Sequence, residues 1–466
     1  MTNHRETREE TEAVTDRGSR PGTREASVGD EPPRRPSRSL YRDRDYLMLW
    51  SGQAVNNVGD AVSSVALPLL AITLLHINAL QAGSLRAAEQ LTALFSVPLG
   101  VLVDRVRKRR LMIGTDLLRT SVTVLVPVAG LAGFLSFPLL IGVALVMGLL
   151  DSLFSIAYSS HLPDFLPERH RMQGTAQLGT GKFGALSGGY ALGGVLVSVA
   201  GASRTLLLDS ASYLVSALTL LAVRRPDPLP APRTSGAVPR GSATGSAGLS
   251  ATLAGWRQEL GVGVQCLRAD PQLGVLAVTM TWISFALALA AAVEMLFLVE
   301  DLHASSLGIG LVLGLPVLAG VPGSQLSVRL MRRFGPARVM RVAIVGYAPV
   351  VAAPALAPAG TVGLVVAGCG WAALILVAGV YNASNNVLRQ QITPAAARGR
   401  VNASIRAMAA SARLVALLIG GAVGTMLGLR CVMVVSALAL VGPAVLLLSS
   451  SSFGSGPVVP VPQSRT

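Results

Sequence analysis

Charge is scarce in this chain. Of its 466 residues only 14% are Asp, Glu, Lys or Arg, against 51% hydrophobic. So few charges cannot coat a soluble globule of this length, which excludes an ordinary water-soluble fold. Aromatic residues are few as well, at 5%. No basic surface is interleaved with them, so the formal net charge of +15 does not point to nucleic acid. The three cysteines, Cys266, Cys369 and Cys431, are scattered singly and give neither a disulfide framework nor a metal-ligand spacing. The five His and the few acids form no metal cluster and no nucleophilic triad. No enzymatic activity, cofactor or metal is therefore expected. About forty polar residues precede the first apolar run, which is not signal-peptide anatomy.

What the chain has in abundance is apolar runs longer than the roughly 20 residues a spanning helix needs. One burst of charge interrupts them early: Gly100 to Arg110 reads GVLVDRVRKRR. Cations at this density cannot sit in hydrocarbon, so the stretch is a loop at a membrane face, and the positive-inside rule makes that face cytoplasmic. Numbered outward from it, the apolar runs give twelve spans with both termini cytoplasmic. Most of the 39 Lys and Arg fall in tails and loops on that side, with Arg204 and Arg430 in opposite loops and the few others within helices. Such a bias also favours contact with anionic lipid.

The expected organisation is a disordered tail over 1–44, a six-helix half over 45–223, a Pro/Gly/Ser-rich linker over 224–270, a second six-helix half over 271–450, and a polar tail over 451–466. The halves repeat at an offset of 227: Pro167 and Arg171 fall on Pro394 and Arg398, Arg105 on Arg332, and Gly193-Gly194 on Gly420-Gly421. The expected fold is an all-α membrane protein of two pseudo-symmetric halves.

Within the basic loop, Gly100, Leu102, Asp104, Arg105, Lys108 and Arg109 match the motif G-x-L-x-D-R-x-x-[KR]-[KR]. It resembles the loop between helices two and three of the major facilitator superfamily, with Arg107 where that family usually has Gly. Three further stretches resemble its drug and siderophore exporter branch, which includes macrolide efflux and enterobactin exporter proteins. They are WSGQAVNNVGDAVSSVALPLL from Trp50, LPDFLPERHRMQGTAQL with the later Gly189-Tyr190-Ala191-Leu192-Gly193-Gly194, and RQQITPAAARGRV from Arg389. Two departures stand out. Tyr190 replaces the Pro that antiporters of the wider group often carry, removing a backbone kink point. The intramembrane Arg that many drug–proton antiporters have on helix four is absent from Ile141 to Ser160. The resemblance implies a gate at Asp104, Arg105 and Arg109, and a substrate site at mid-membrane between the halves.

Ionisable residues inside spans are the functional candidates. Asp60 lies near the middle of the first span, where an ionised Asp costs about 2.5–3.5 kcal/mol. Gln53, Asn56, Asn57, Ser63 and Ser64 share its helical face. The stripe is either a substrate or proton site or a structural cap on a neighbouring helix. Asp151 is a second proton-site candidate, or else a salt-bridge partner of Lys182 or Arg413. Arg86 and Glu89, three apart, can pair with each other. Lys182 and Arg413 can bind an anionic substrate or satisfy Asp151. Asn382 and Asn385 suit a neutral substrate or interhelical hydrogen bonding. Asp209 and Glu294 are placed near outer helix ends, where water reaches them.

Two motifs fail on context. Gly179-Thr-Gly181-Lys-Phe-Gly184 fits a dinucleotide fingerprint but follows no strand. Asn402-Ala-Ser404 fits a glycosylation sequon at a cytoplasmic helix start. The function expected is a monomeric, multi-pass plasma-membrane transporter exporting a hydrophobic or amphipathic small molecule against protons. An Arg-rich, Lys-poor composition with abundant Ala and Gly suggests a bacterium. An importer or uniporter of the same fold, and a transport-inactive sensor or scaffold, are the alternatives.

Overall fold

A computed structural model describes residues 43–166, 171–225, 261, 263–394 and 397–450. Both tails, most of the expected linker, and the Pro167 position of the repeat lie outside the described residues. The described residues are almost wholly helical and form twelve crossing segments in chain order. The first half comprises α1 (Arg44–Leu75), α2 (Ala79–Leu91, a 3-10 turn Thr92–Phe95, then Ser96–Val103), α3 (Lys108–Leu131), α4 (Phe137–Phe165), α5 (Arg171–Ala200) and α6 (Ala202–Ala222). The second comprises α7 (Pro271–Leu296, continued by a π-turn Phe297–Asp301), α8 (Ser306–Gly314, a 3-10 turn Leu315–Ala319, then Gly320–Phe334) and α9 (Pro336–Ala355). It closes with α10 (Thr361–Ile392), α11 (Arg398–Leu427) and α12 (Leu429–Ala439 with Val441–Ser449). Eleven of the twelve are long and apolar enough to cross a membrane. The exception, α2, is divided by its 3-10 turn and carries Arg86 and Glu89.

The repeat reaches down to the caps. The first residues of α1, α2, α5 and α6, shifted by 227, are the first residues of α7, α8, α11 and α12. Asp43 caps α1 by accepting from the backbone N–H of Asp45 and Tyr46, and Asp270 caps α7 by accepting from those of Gln272 and Leu273. Gly201 and Gly428, each at positive φ, make the tight turns into α6 and α12. The end of the stretch read as linker is helical over 263–269. There Leu267 packs with Leu273, Ala277, Val401 and Ile405, which gives this segment an apolar reason to be ordered.

The apolar cores show how the halves meet. One core takes residues from both halves, among them Val65, Leu70, Leu85, Leu289, Phe297 and Leu417. Those residues lie in the portions of their helices beyond the midpoint, on the side remote from the basic loop. The remaining cores each belong to a single half. The molecule is therefore sealed on the face opposite the basic loop, and among the described residues the halves share no core on the basic face.

Close backbone approach makes the seal. A Cβ on Gly194 of α5 would lie 2.6 Å from the Ser306 carbonyl oxygen and 2.9 Å from Gly310 Cα of α8. On the other side, a Cβ on Gly421 of α11 would lie 2.7 Å from the Ala79 carbonyl oxygen of α2, and the Leu80 N–H donates to Thr425 Oγ1 across the same joint at 3.0 Å. Overpacking of this kind costs about 1–3 kcal/mol, enough to shift an open–closed equilibrium roughly tenfold or more. We expect Gly421→Val to open the sealed face. The check is labelling of a Leu67→Cys probe, in a chain without its native cysteines, by an impermeant maleimide added on the sealed side. Labelling should be faster than in the same chain with Gly421 intact.

Candidate functional site

The site grows from a single buried guanidinium. Arg119 lies at the middle of α3 and is 2% exposed. Its Nη2 donates to Asp151 Oδ1 of α4 at 2.6 Å, and its Nη1 lies 3.5 Å from Asp116 Oδ1 one turn away on α3. The guanidinium also stacks over the Phe154 ring at 4.7 Å and the Tyr213 ring of α6 at 5.5 Å. Tyr213 in turn donates its hydroxyl to Asp60 Oδ1 at 2.8 Å. Asp60, Arg119, Asp151 and Tyr213 each sit within about one residue of the midpoint of their helix, which places all four at the depth where charge is most costly.

Gly59 sets the approach of α1 to α6. A Cβ there would collide with Ser212 and with the carboxylate of Asp209, so only glycine lets Asp60 reach Tyr213. Asp209, 1% exposed, accepts from the hydroxyls of Ser63 and Ser212. Asp116 is fully buried, and neither of its oxygens receives a hydrogen bond. Three carboxylates, Asp151, Asp60 and Asp116, thus act on one guanidinium, and Asp209 lies next to Asp60 through the α1–α6 contact.

Beside this cluster lies a cavity of about 500 Å³. Its polar wall includes Asp60, Arg86, Glu89 and Asp151, and its apolar wall includes Leu67, Val126, Val143, Met147 and Leu206. Residues of α1, α2, α3, α4 and α6 line it, all from the first half, whereas the sequence led us to expect a site between the halves. Asp151 is the member of the Arg119 pair that opens onto the cavity, its side chain 55% exposed while Arg119 stays behind it.

Several expectations are corrected. Asp151 pairs with neither Lys182 nor Arg413; Arg119 takes that place, and both other cations are exposed. Arg86 and Glu89 line the cavity together but make no ion pair within 4.0 Å. Arg86 is instead the counter-charge that both Glu89 and, from α7, Glu294 face. Asp209 is buried within the bundle and not at a wetted helix end, because Ser63 and Ser212 satisfy it there. Asp60, Ser63 and Ser64 of the α1 stripe line the cavity, but Asn56 and Asn57 do not; both are buried, and Asn57 donates to the Gln53 carbonyl at 2.7 Å.

The other candidates are placed as follows. Asn385 is buried and donates to the Tyr381 hydroxyl at 3.3 Å, whereas Asn382 is exposed. In the basic loop Asp104 and Arg105 are exposed, and a Cβ on Gly100 would meet open space. Lys108 donates to the Ser160 carbonyl at 2.9 Å, and Arg109 to those of Leu220 and Leu221 at 2.8 and 2.9 Å, so both secure helix ends of the first half. Gly189 and Gly193 pack α5 against Val58, Ala61 and Val62 of α1.

Sequence reasoning missed Asp116, Arg119 and Tyr213. The signal was an Asp and an Arg three apart in the middle of an apolar span, in TDLLRT. The intramembrane Arg absent from helix four stands instead on the helix before it.

Tyr213→Phe tests the hydrogen bond to Asp60 separately from the ring that lies under Arg119. Leaving a buried acceptor unsatisfied costs about 1–3 kcal/mol. Thermal unfolding of the purified protein should show a loss of that order. Tyr213→Leu, which also removes the ring, should lose more.

With this geometry in place, comparison with known proteins gives the following. The family model described as Major Facilitator Superfamily matches residues 49–380, more than half of the chain. No curated protein sequence matches. Solved structures share the fold at low identity. A bacterial homologue of the iron transporter ferroportin in an inward-facing state is 16% identical, with a TM-score of 0.68 over 90% of this chain and 100% of that one. The nucleoside transporter NupG is 12% identical, with a TM-score of 0.66 over 88% and 100%. A bacterial homologue of the human lysosomal transporter Spinster, inward-facing and unoccupied, is 17% identical, with a TM-score of 0.63 over 89% and 97%. A helical membrane chain of two six-helix repeats, sealed at one face and holding a charged cavity at mid-membrane, belongs to the Major Facilitator Superfamily.

Proposed function

We propose that this protein is a proton-coupled secondary transporter that exports a hydrophobic or amphipathic small molecule, with Asp151 as the coupling carboxylate. One observation carries the reading: Asp151 faces the cavity and is held from behind by a buried Arg119. A carboxylate so placed can be reached by a proton or a substrate from the cavity, and either one competes with its ion pair. In this reading the basic face is cytoplasmic and the state described is inward-facing. The first half binds and couples, while the second supplies the moving wall.

The pseudo-symmetry supports a functional charge cluster. The positions equivalent to Asp60, Asp116, Arg119 and Asp151 in the second half are Leu287, Ala343, Gly346 and Ala378. The same six-helix architecture therefore forms without these charges, so the fold does not require them. Their cost at mid-membrane points to a use. The apolar wall of Leu67, Val126, Val143 and Met147 favours a substrate with an apolar body over a sugar or phosphate. Export is taken from the resemblance of α1, α5 and the loop before α11 to the exporter branch. The gating role of Asp104, Arg105 and Arg109 is part of the same proposal.

Everted vesicles with an acid interior and a pH-sensitive dye test this. A panel of lipophilic antibiotics and one siderophore should reveal at least one compound that drives proton efflux. Asp151→Asn should reduce that efflux about tenfold or more, as loss of a proton-transfer group does. Asp60→Asn should slow transport without uncoupling it. Full coupling in Asp151→Asn contradicts the reading; in the wild type, substrate entry without proton movement favours a uniporter, and substrate exit from preloaded vesicles favours an importer.

A further inference from the structure

A guanidinium does not lose its proton inside a protein. If Asp151 takes up a proton, as proposed above, Arg119 keeps its charge, is 2% exposed, and cannot turn to water. It needs a second anion within reach. Asp116 meets that need: its Oδ1 already stands 3.5 Å from Arg119 Nη1, it is fully buried, and both its oxygens lack a hydrogen-bond donor. Ser216 of α6 lies alongside, outside hydrogen-bonding geometry. On the guanidinium side, Nη1 and Nε have no hydrogen-bond acceptor. An unused acceptor and unused donors therefore face each other across a gap slightly longer than a hydrogen bond.

We infer that Asp116 is the reserve counter-ion of Arg119: as a cavity proton binds the Asp151 carboxylate, the guanidinium moves from Asp151 onto Asp116. This rests on Asp151 being the proton site. The balance is simple. Counting the two carboxylates within ion-pair distance of Arg119, the unloaded set holds Asp151 and Asp116 ionised about one guanidinium, an excess of one negative charge. One proton from cavity water adds to a carboxylate oxygen of Asp151, no other covalent bond changes, and a neutral Arg119–Asp116 pair remains.

The surrounding groups leave this role to Asp116. From α1, the charge of Asp60 also acts on Arg119, but Asp60 makes no ion pair with it within 4.0 Å and is engaged by the Tyr213 hydroxyl. From α6, Asp209 is satisfied by Ser63 and Ser212. Glu89 of α2 bears on Asp151 and faces Arg86, while Lys182 of α5 bears on Asp60. Asp116 is thus a positioning residue that acts through Arg119 and does not itself meet the cavity.

The test needs no substrate. The full-length protein in liposomes is titrated while the infrared carbonyl stretch of protonated carboxyl groups is recorded. The contribution of Asp151 is identified by its loss in Asp151→Asn. In Asp116→Asn the Asp151 band should appear only at lower pH, by about one unit, a tenfold weaker hold on the proton. Asp116→Glu, which keeps the carboxylate, should titrate near the wild type. Should Asp116→Asn fail to fold, Asp116→Ser repeats the neutral test with a smaller side chain. A wild-type midpoint in the neutral variant overturns the inference, as does an equal shift in Asp116→Glu, since volume and not charge would then set it. Absence of any Asp151-dependent band removes the proton site itself, and the inference falls with it.

Discussion

A permanent positive charge buried at mid-membrane must have an anion beside it in every state the protein visits. Arg119 imposes that condition on the first half of this chain. Asp151 holds it from the cavity side and Asp116 from within its own helix, while the rings of Phe154 and Tyr213 fill the space around it. Tyr213 then carries the network to Asp60, and Gly59 is bare so that α1 can come that close. Packing and electrostatics are one problem here: moving α4 away from α3 would strip a buried ion of its partner, which typically costs about 3–5 kcal/mol.

The second half shows what the same architecture looks like without that condition. Its helices start at equivalent positions and its Asp270 cap repeats Asp43. Yet Gly346 stands where Arg119 would fall, and Ser436, equivalent to Asp209, is content with the Ala286 carbonyl at 2.6 Å. Among the described residues the Arg119 cluster and its cavity lie in one half, and the halves are joined through small residues at the sealed face. That division suits a molecule in which one body reads charge while the other rocks against it.

Much of this was legible in the sequence. The basic loop at Gly100–Arg110, the repeat at 227 and the twelve apolar runs depend on local composition, which the fold preserves. That Asp60 and Asp151 would not face lipid was legible too, because a lone acid in a span needs a reason, and both line the cavity. Their partners were not. Arg119 meets Asp151 across two helices, and helical spacing describes one helix at a time. Lys182 and Arg413 had the same claim on Asp151 until packing turned them to exposed positions. The burial of Asp209 was equally hidden, since it follows from α1 lying against α6 at Gly59 and not from distance along α6.

The measurement that bears most directly on the account is a double-mutant cycle of Arg119→Met and Asp151→Asn, read as unfolding free energy of the purified protein. If the buried ion pair organises the first half, the two positions should couple by about 2–3 kcal/mol, with the double variant more stable than the sum of the single losses allows. A coupling near zero would mean that each residue is held by its other neighbours, and would contradict the claim that Arg119 is the constraint on which the site depends.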